Sequence, residues 1–161
     1  MTIIYRFLLL ALATVLIFSC ENSKSNYAPL DLMAHGMPIK IMAPEHTSIK
    51  SDDLGILKDL TIVDTLNGGF NVQIYSSQTD VLDRAKLLDE VKSEIQETEY
   101  FSKMIEESDN GFIYEKKVTE DYINYDFRVV RLQSNVRYIM QAGYGEQYEL
   151  ADIKNMFNAV K

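Results

Sequence analysis

A chain of 161 residues with 24 acidic and 16 basic side chains carries a formal charge of −8, a balance that repels nucleic acid and anionic lipid head groups and argues against both as partners. Its one cysteine excludes an internal disulfide. No internal repeat or low-complexity stretch is present, and the length suits one domain with a core large enough to fold without metals or disulfides.

The N-terminus sets the first expectation. Arg6 precedes the apolar run Phe7–Phe18, which ends in Ser19-Cys20. Twelve residues span about 18 Å as a helix, well short of the roughly 30 Å hydrocarbon core of a bilayer. A charged start, a short apolar run and a small residue before a cut point form a secretory signal instead. Ile17-Phe18-Ser19-Cys20 resembles the lipobox of bacterial lipoproteins, in its looser Phe-Ser-Cys form similar to that of Bacteroidota lipoproteins. The resemblance implies a signal peptide over 1–19 and a Cys20 that carries a diacylglyceryl thioether and is N-acylated. Two or three acyl chains hold a protein stably at a membrane where one would be reversible, and lipidation would also occupy the lone thiol. Removing nineteen residues leaves 142, and the loss of Arg6 takes the charge from −8 to −9. Glu21 follows the cysteine, rather than the Asp that resembles an inner-membrane retention mark or the acidic run that resembles a surface-export mark. The expected location is therefore the periplasmic face of the outer membrane, with the cell surface open.

Residues 20–37 read as the lipidated cysteine and a flexible tether, polar and aperiodic at first. The folded domain is expected over 38–161. Pro38–Ala43 alternates as a short strand stopped by Pro44. Lys58–Leu66 and Phe70–Tyr75 flank Asn67-Gly68-Gly69, which predicts an antiparallel hairpin closed by a type I′ turn. A helix follows from about Thr79 or Asp80 to Thr98, with Asp80 able to cap its start, Val81, Ala85, Leu88, Val91 and Ile95 on one side and Glu94, Glu97 and Glu99 near its end. Strands are expected at 101–107, 112–119, 122–132 and 136–143. Ile123, Tyr125, Phe127 and Val129 alternate there with Asn124, Asp126 and Arg128, which predicts one buried and one wet face. A terminal helix over 146–160 carries Leu150, Ile153, Met156, Phe157 and Val160 as its apolar stripe. The pattern is α+β: an antiparallel sheet of about six or seven strands with two packed helices.

This order of strands, helix, strands and terminal helix, opening on the Pro-broken strand Ile39–Pro44, resembles the layout of PsbP-like α+β sandwiches over about Pro38–Val160. The aromatic residue that commonly follows the Pro in that family is missing. The resemblance implies a non-catalytic accessory or binding domain. The whole chain is also similar to small Bacteroidota lipoproteins of uncharacterised role.

Catalytic parts are sparse. The lone Cys is committed to lipid, His35 and His46 lie at the N-terminal edge, and there is no Gly-x-Ser-x-Gly or phosphate-binding glycine loop. No enzyme activity and no cofactor are expected. Two binding readings remain. The tyrosines, above all Tyr144 and Tyr148 around Gly143 and Gly145, offer exposed contacts for another envelope protein or a small ligand. As the alternative, Met33, His35, Met37 and His46 place soft donors suited to Cu(I) in one segment, with Met42 among them on a strand. The lipobox is directly testable. Cys20→Ala should abolish incorporation of labelled fatty acid and release the protein from the membrane fraction, whereas unchanged retention would show that a partner or an uncleaved anchor holds it.

Overall fold

The computed structural model describes residues 27–161; the expected signal peptide, Cys20 and the residues up to Asn26 lie outside the described residues. The first strand is one that the sequence pattern concealed. β1 (Tyr27–Asp31) pairs antiparallel with β2 (Lys40–Pro44) around a short 3-10 turn at Met33–His35. The expected tether thus gives up its second half to the fold: Leu32 and Met37 are fully buried. Five residues that carry Pro29 and no strict alternation give too weak a strand signal to compete with a loop.

The main sheet holds seven strands, all antiparallel, in the order β3-β4-β5-β9-β8-β7-β6. They are β3 (Thr47–Asp53), β4 (Leu57–Asp64), β5 (Asn71–Gln78), β6 (Phe101–Ser108), β7 (Gly111–Lys117), β8 (Ile123–Gln133) and β9 (Val136–Ala142). The α+β class, the antiparallel sheet and its two helices are as expected. β3, mostly polar and exposed at an edge, had no apolar period to announce it, and the strand at 38–43 belongs to the small sheet rather than the large one.

The β4–β5 hairpin forms, with Leu60 opposite Ile74 and Ile62 opposite Val72. Its turn differs from the expected I′ geometry, because Gly68 and Gly69, not Asn67, take the positive φ angles. The Asp64 carboxylate accepts the Leu66 and Asn67 backbone N–H groups and builds a longer loop.

α1 (Arg84–Gln96) carries the chain from β5 to the far edge, so that the meander β6–β9 returns to pair β9 with β5. Asp83, not Asp80, caps it by accepting the Ala85 and Lys86 N–H groups at 2.8 and 3.3 Å. α2 (Leu150–Val160) closes the fold. The two helices cover opposite faces. Ile113, Phe127, Val129 and Met140 pack with α2 and with β1–β2, whereas their alternating neighbours Phe112, Tyr114 and Val130 pack with Leu87 and Val91 of α1. The expectation of one wet face is therefore corrected at β7 and β8, which are covered on both sides. Arg131 fastens the α2 layer, donating from Nη1 to the Lys40 carbonyl at 2.7 Å and from Nη2 to the Val160 carbonyl at 2.6 Å, where a cation also suits the helix C-terminus.

Gly111 sits where β7 leaves its turn, and a Cβ there would run into the Arg128 carbonyl and lie 3.0 Å from the Phe157 ring. Backbone leaves little room to yield. Gly111→Ala should cost about 2 kcal/mol, read as a lowered urea midpoint at unchanged slope.

Candidate functional site

The site begins with a break in the sheet. β8 and β9 pair from Gln133/Val136 to Val129/Met140 and then part, while β8 stays paired with β7 to Ile123 and β9 stays paired with β5 to Ala142. The N–H groups of Phe127 and Ala142 thereby lose the strand partner they would have had. Asp126 Oδ1 replaces it, accepting from Phe127 N at 2.8 Å and Ala142 N at 3.2 Å. A side-chain carboxylate thus stands as a wedge at the fork and satisfies groups that could not be buried bare.

Its other oxygen gathers cations. Asp126 Oδ2 accepts from Tyr114 Oη at 2.9 Å and Lys116 Nζ at 3.1 Å and lies 3.0 Å from Arg128 Nη1. Arg128 Nη1 also donates to the Phe127 carbonyl, and its guanidinium lies over the Tyr114 ring. Asp126 is 5% exposed. Burial alone would push its carboxyl up, but Arg128 and Lys116 hold it below the usual carboxylate range. The same surroundings push the Tyr114 phenol up, first through burial and then through the Asp126 charge.

Beyond the fork, the segment 143–149 takes the place of β9 and is sewn to the start of β8 by side chains. Asn124 Oδ1 accepts the Tyr148 N–H at 3.1 Å, Asn124 Nδ2 donates to the Glu146 carbonyl at 3.3 Å, and Gln147 Nε2 donates to the Ile123 carbonyl at 3.0 Å. Between this segment and the ends of β7 and β8 lies a cleft of about 390 Å³, bordered by Tyr100, Lys116, Tyr122, Asp126, Tyr144 and Tyr148. Asn124 and Asp126, expected on a wet face, are instead buried and line this cleft, with Arg128 largely covered beside them. A polar period on a strand reads as solvent-facing, and the sequence has no mark for a fork that needs acceptors.

Both expected tyrosines reach this cleft, with different roles. Tyr144 is 75% exposed at the rim. Tyr148 is only 5% exposed, and its hydroxyl donates to the Gly143 carbonyl at 3.1 Å, so it is a wall of the cleft rather than an exposed contact. Burial, then the Glu146 charge, push its phenol up. Tyr100 and Tyr122, both exposed, complete the aromatic rim. Tyr100, from the turn before β6, is far in sequence from the other rim residues and had no local signal.

A second cleft, of about 320 Å³, opens on the same face between the C-terminal half of α1 and β5, β8 and β9, with Tyr75, Arg128, Arg137 and Gln141 among its walls. The Tyr75 phenol is pushed up by burial and next by the Tyr144 phenol.

The soft-donor segment is dispersed in role. Met37 is enclosed in the main core and Met42 lies at the margin of the small sheet, while Met33 is exposed in the 3-10 turn with His35 partly covered beside it. His46 is exposed between β2 and β3, with its carbonyl taken by Thr65. Met37 is thus a packing group. Among the described residues, no three His, Cys, Asp or Glu side chains are grouped as metal ligands.

No protein-family model and no curated protein matches this chain. The Asp126 wedge gives a direct test of the site's construction. Asp126→Asn leaves Lys116 and Arg128 without their charge partner and should cost about 3 kcal/mol. Because its folded-state pKa lies below the unfolded value of about 3.9, the wild-type contribution is present above about pH 4 and lost as the pH falls through the folded value. Urea titrations of both proteins should therefore converge on acidification.

Proposed function

We propose that this chain is a lipid-anchored cell-envelope protein whose domain binds another envelope protein or a small ligand at the tyrosine-rimmed cleft, without catalysis. The observation that carries the reading is the pairing of an exposed aromatic rim with a floor whose charges are already fixed. Tyr100, Tyr122 and Tyr144 offer apolar area with polar tips. Asp126, Lys116 and Tyr114 beneath them are held in place before any ligand arrives, so little ordering is left to oppose binding.

The place of the cleft also supports an envelope role. Tyr27, where the described chain begins, packs edge-on against Phe70 with ring centroids 5.3 Å apart. The next residue, Asn71, accepts the Gly143 N–H on its carbonyl at 2.8 Å, at the foot of the Tyr144 turn. The start of the fold and the cleft therefore share one end of the sheet. Six residues separate Cys20 from Tyr27, which limits the reach of a lipid anchor to roughly 25 Å. An anchored domain would present its cleft near the membrane, in the layer where a partner held in the same membrane would stand. The periplasmic face of the outer membrane remains the assigned location within this reading.

The absence of catalysis in the proposal has a chemical basis. Neither histidine lines either cleft, and the buried carboxylate that lines the first cleft, Asp126, commits both oxygens to its frame. No helix of the described residues is long and apolar enough to cross a membrane; in this proposal the anchor is the acylated Cys20.

The test is crosslinking in cells that carry the full tagged chain, compared with a Tyr122→Ala/Tyr144→Ala variant. The wild type should capture a specific envelope component that the variant loses at least tenfold, with membrane retention and melting temperature unchanged. Equal capture by both would remove the cleft from the binding surface.

A further inference from the structure

The second cleft holds an arrangement that the tyrosine rim does not explain. Arg137, on β9, donates from Nε to Ser77 Oγ at 2.9 Å. That single bond orients the guanidinium and leaves both terminal nitrogens free, and no carboxylate lies within ion-pair distance of it among the described residues. An arginine held in a cleft with no carboxylate paired to it keeps its planar donor edge open to one, since a guanidinium is matched in shape to a carboxylate or phosphate.

Arg128 stands at the other end of the same cleft. Arg137 pairs with Leu132, four residues along β8 from Arg128, which puts the two backbone positions about 13 Å apart along the strand. Arg128 makes its bonds through Nη1, to Asp126 and to the Phe127 carbonyl, which leaves Nε and Nη2 as donors. Lys116 shares Asp126 with it, so the trio keeps one net positive charge. Gln141 and Tyr75 add polar groups at this end. Between the two ends the lining is apolar, with Ile139 on the sheet and Val91 and Ile95 on α1. Two carboxylates oppose an anion: Glu94 at the exposed rim, and Asp59 one strand further, which accepts from Gln73 Nε2 at 2.8 Å.

We infer that this cleft binds a linear organic acid, with a carboxylate or phosphate on Arg137, an apolar body along Ile139, Val91 and Ile95, and a second acceptor group at the Arg128 end. The volume of about 320 Å³ is at the small end of ligand sites. The inference concerns a different cleft from the tyrosine-rimmed one and stands or falls apart from it.

The test uses suberate, an eight-carbon dicarboxylate, titrated into the full purified chain and followed by chemical-shift changes of Arg137, Ile139 and Gln141. 1,8-Octanediol and 1,8-diaminooctane serve as neutral and cationic controls. Suberate should bind, and both controls should bind at least tenfold more weakly. Arg137→Met should weaken suberate at least tenfold while the melting temperature stays put, since the side chain is only partly covered. Glu94→Gln should act in the opposite direction and tighten it two- to fivefold by removing the rim charge. Absence of suberate binding at millimolar concentration, equal binding of the diol, or an unchanged affinity in Arg137→Met would each overturn the inference. None of these outcomes bears on capture through Tyr122 and Tyr144, so the two readings fail separately.

Discussion

A strand pair that ends in the middle of a sheet leaves backbone groups with nowhere to go, and in this protein one carboxylate answers for them. Asp126 accepts the N–H groups that β8 and β9 would have exchanged at Phe127 and Ala142, and with its second oxygen it binds Tyr114, Lys116 and Arg128. A lone buried carboxylate would be costly to ionise. Here two cations, a phenol and two amides share it, so the charge is retained and the fork is fixed. The cleft exists because the strands part, and they part at a point where the side chain of β8 can stand in for β9.

The division of the sheet into two differently covered faces follows from the same geometry. On the α2 face the covering is nearly continuous: β1, β2 and α2 lay apolar residues over Val72, Ile74, Phe127, Val129 and Met140. On the other face α1 covers only Phe112, Tyr114, Val130 and their neighbours, and its stripe is too short to reach across β5 and β4. What remains uncovered must be polar or be a site. Gln73, Gln141, Arg128 and Asp126 occupy that ground: Gln141 donates to Gln73 and Gln73 to Asp59 across strands, while Arg128 pairs with Asp126 along β8. Both clefts open here, one against the C-terminal half of α1 and the other between the ends of β7 and β8 and the 143–149 segment. A helix that covered the whole face would have closed both clefts.

Much of this fold can be read directly from residue order. The apolar alternation of β4, β5, β7 and β8 and the stripe of α2 mark their own elements, because a buried face imposes a period of two on a strand and about 3.6 on a helix. β1 and β3 escape such a reading for opposite reasons. β1 carries a proline and is half exposed, while β3 is an edge strand whose pairing comes from β4 and not from a face of its own. The cap of α1 shifts from Asp80 to Asp83 because both residues have the right side chain, and only the path out of β5 decides which one meets free N–H groups. Of the candidate site, Tyr144 was legible as an aromatic between glycines. The role of Tyr148 was not, because its burial depends on Gly143 and Asn124, which approach it only in three dimensions.

Composition and local pattern by themselves determined the class of the fold, the two helices, most of the strands and the lipobox-like start, since each is a property of neighbours in the chain. Tertiary structure alone decided that the helices take opposite faces, that Asn124, Asp126 and Arg128 are enclosed rather than wet, and that Arg137 and Arg128 share a cleft with α1. These depend on the order of strands across the sheet, and that order is set by non-local pairing. A strand's own residues specify which side chains alternate; they do not specify what lies above each side, nor where a neighbouring strand will turn away.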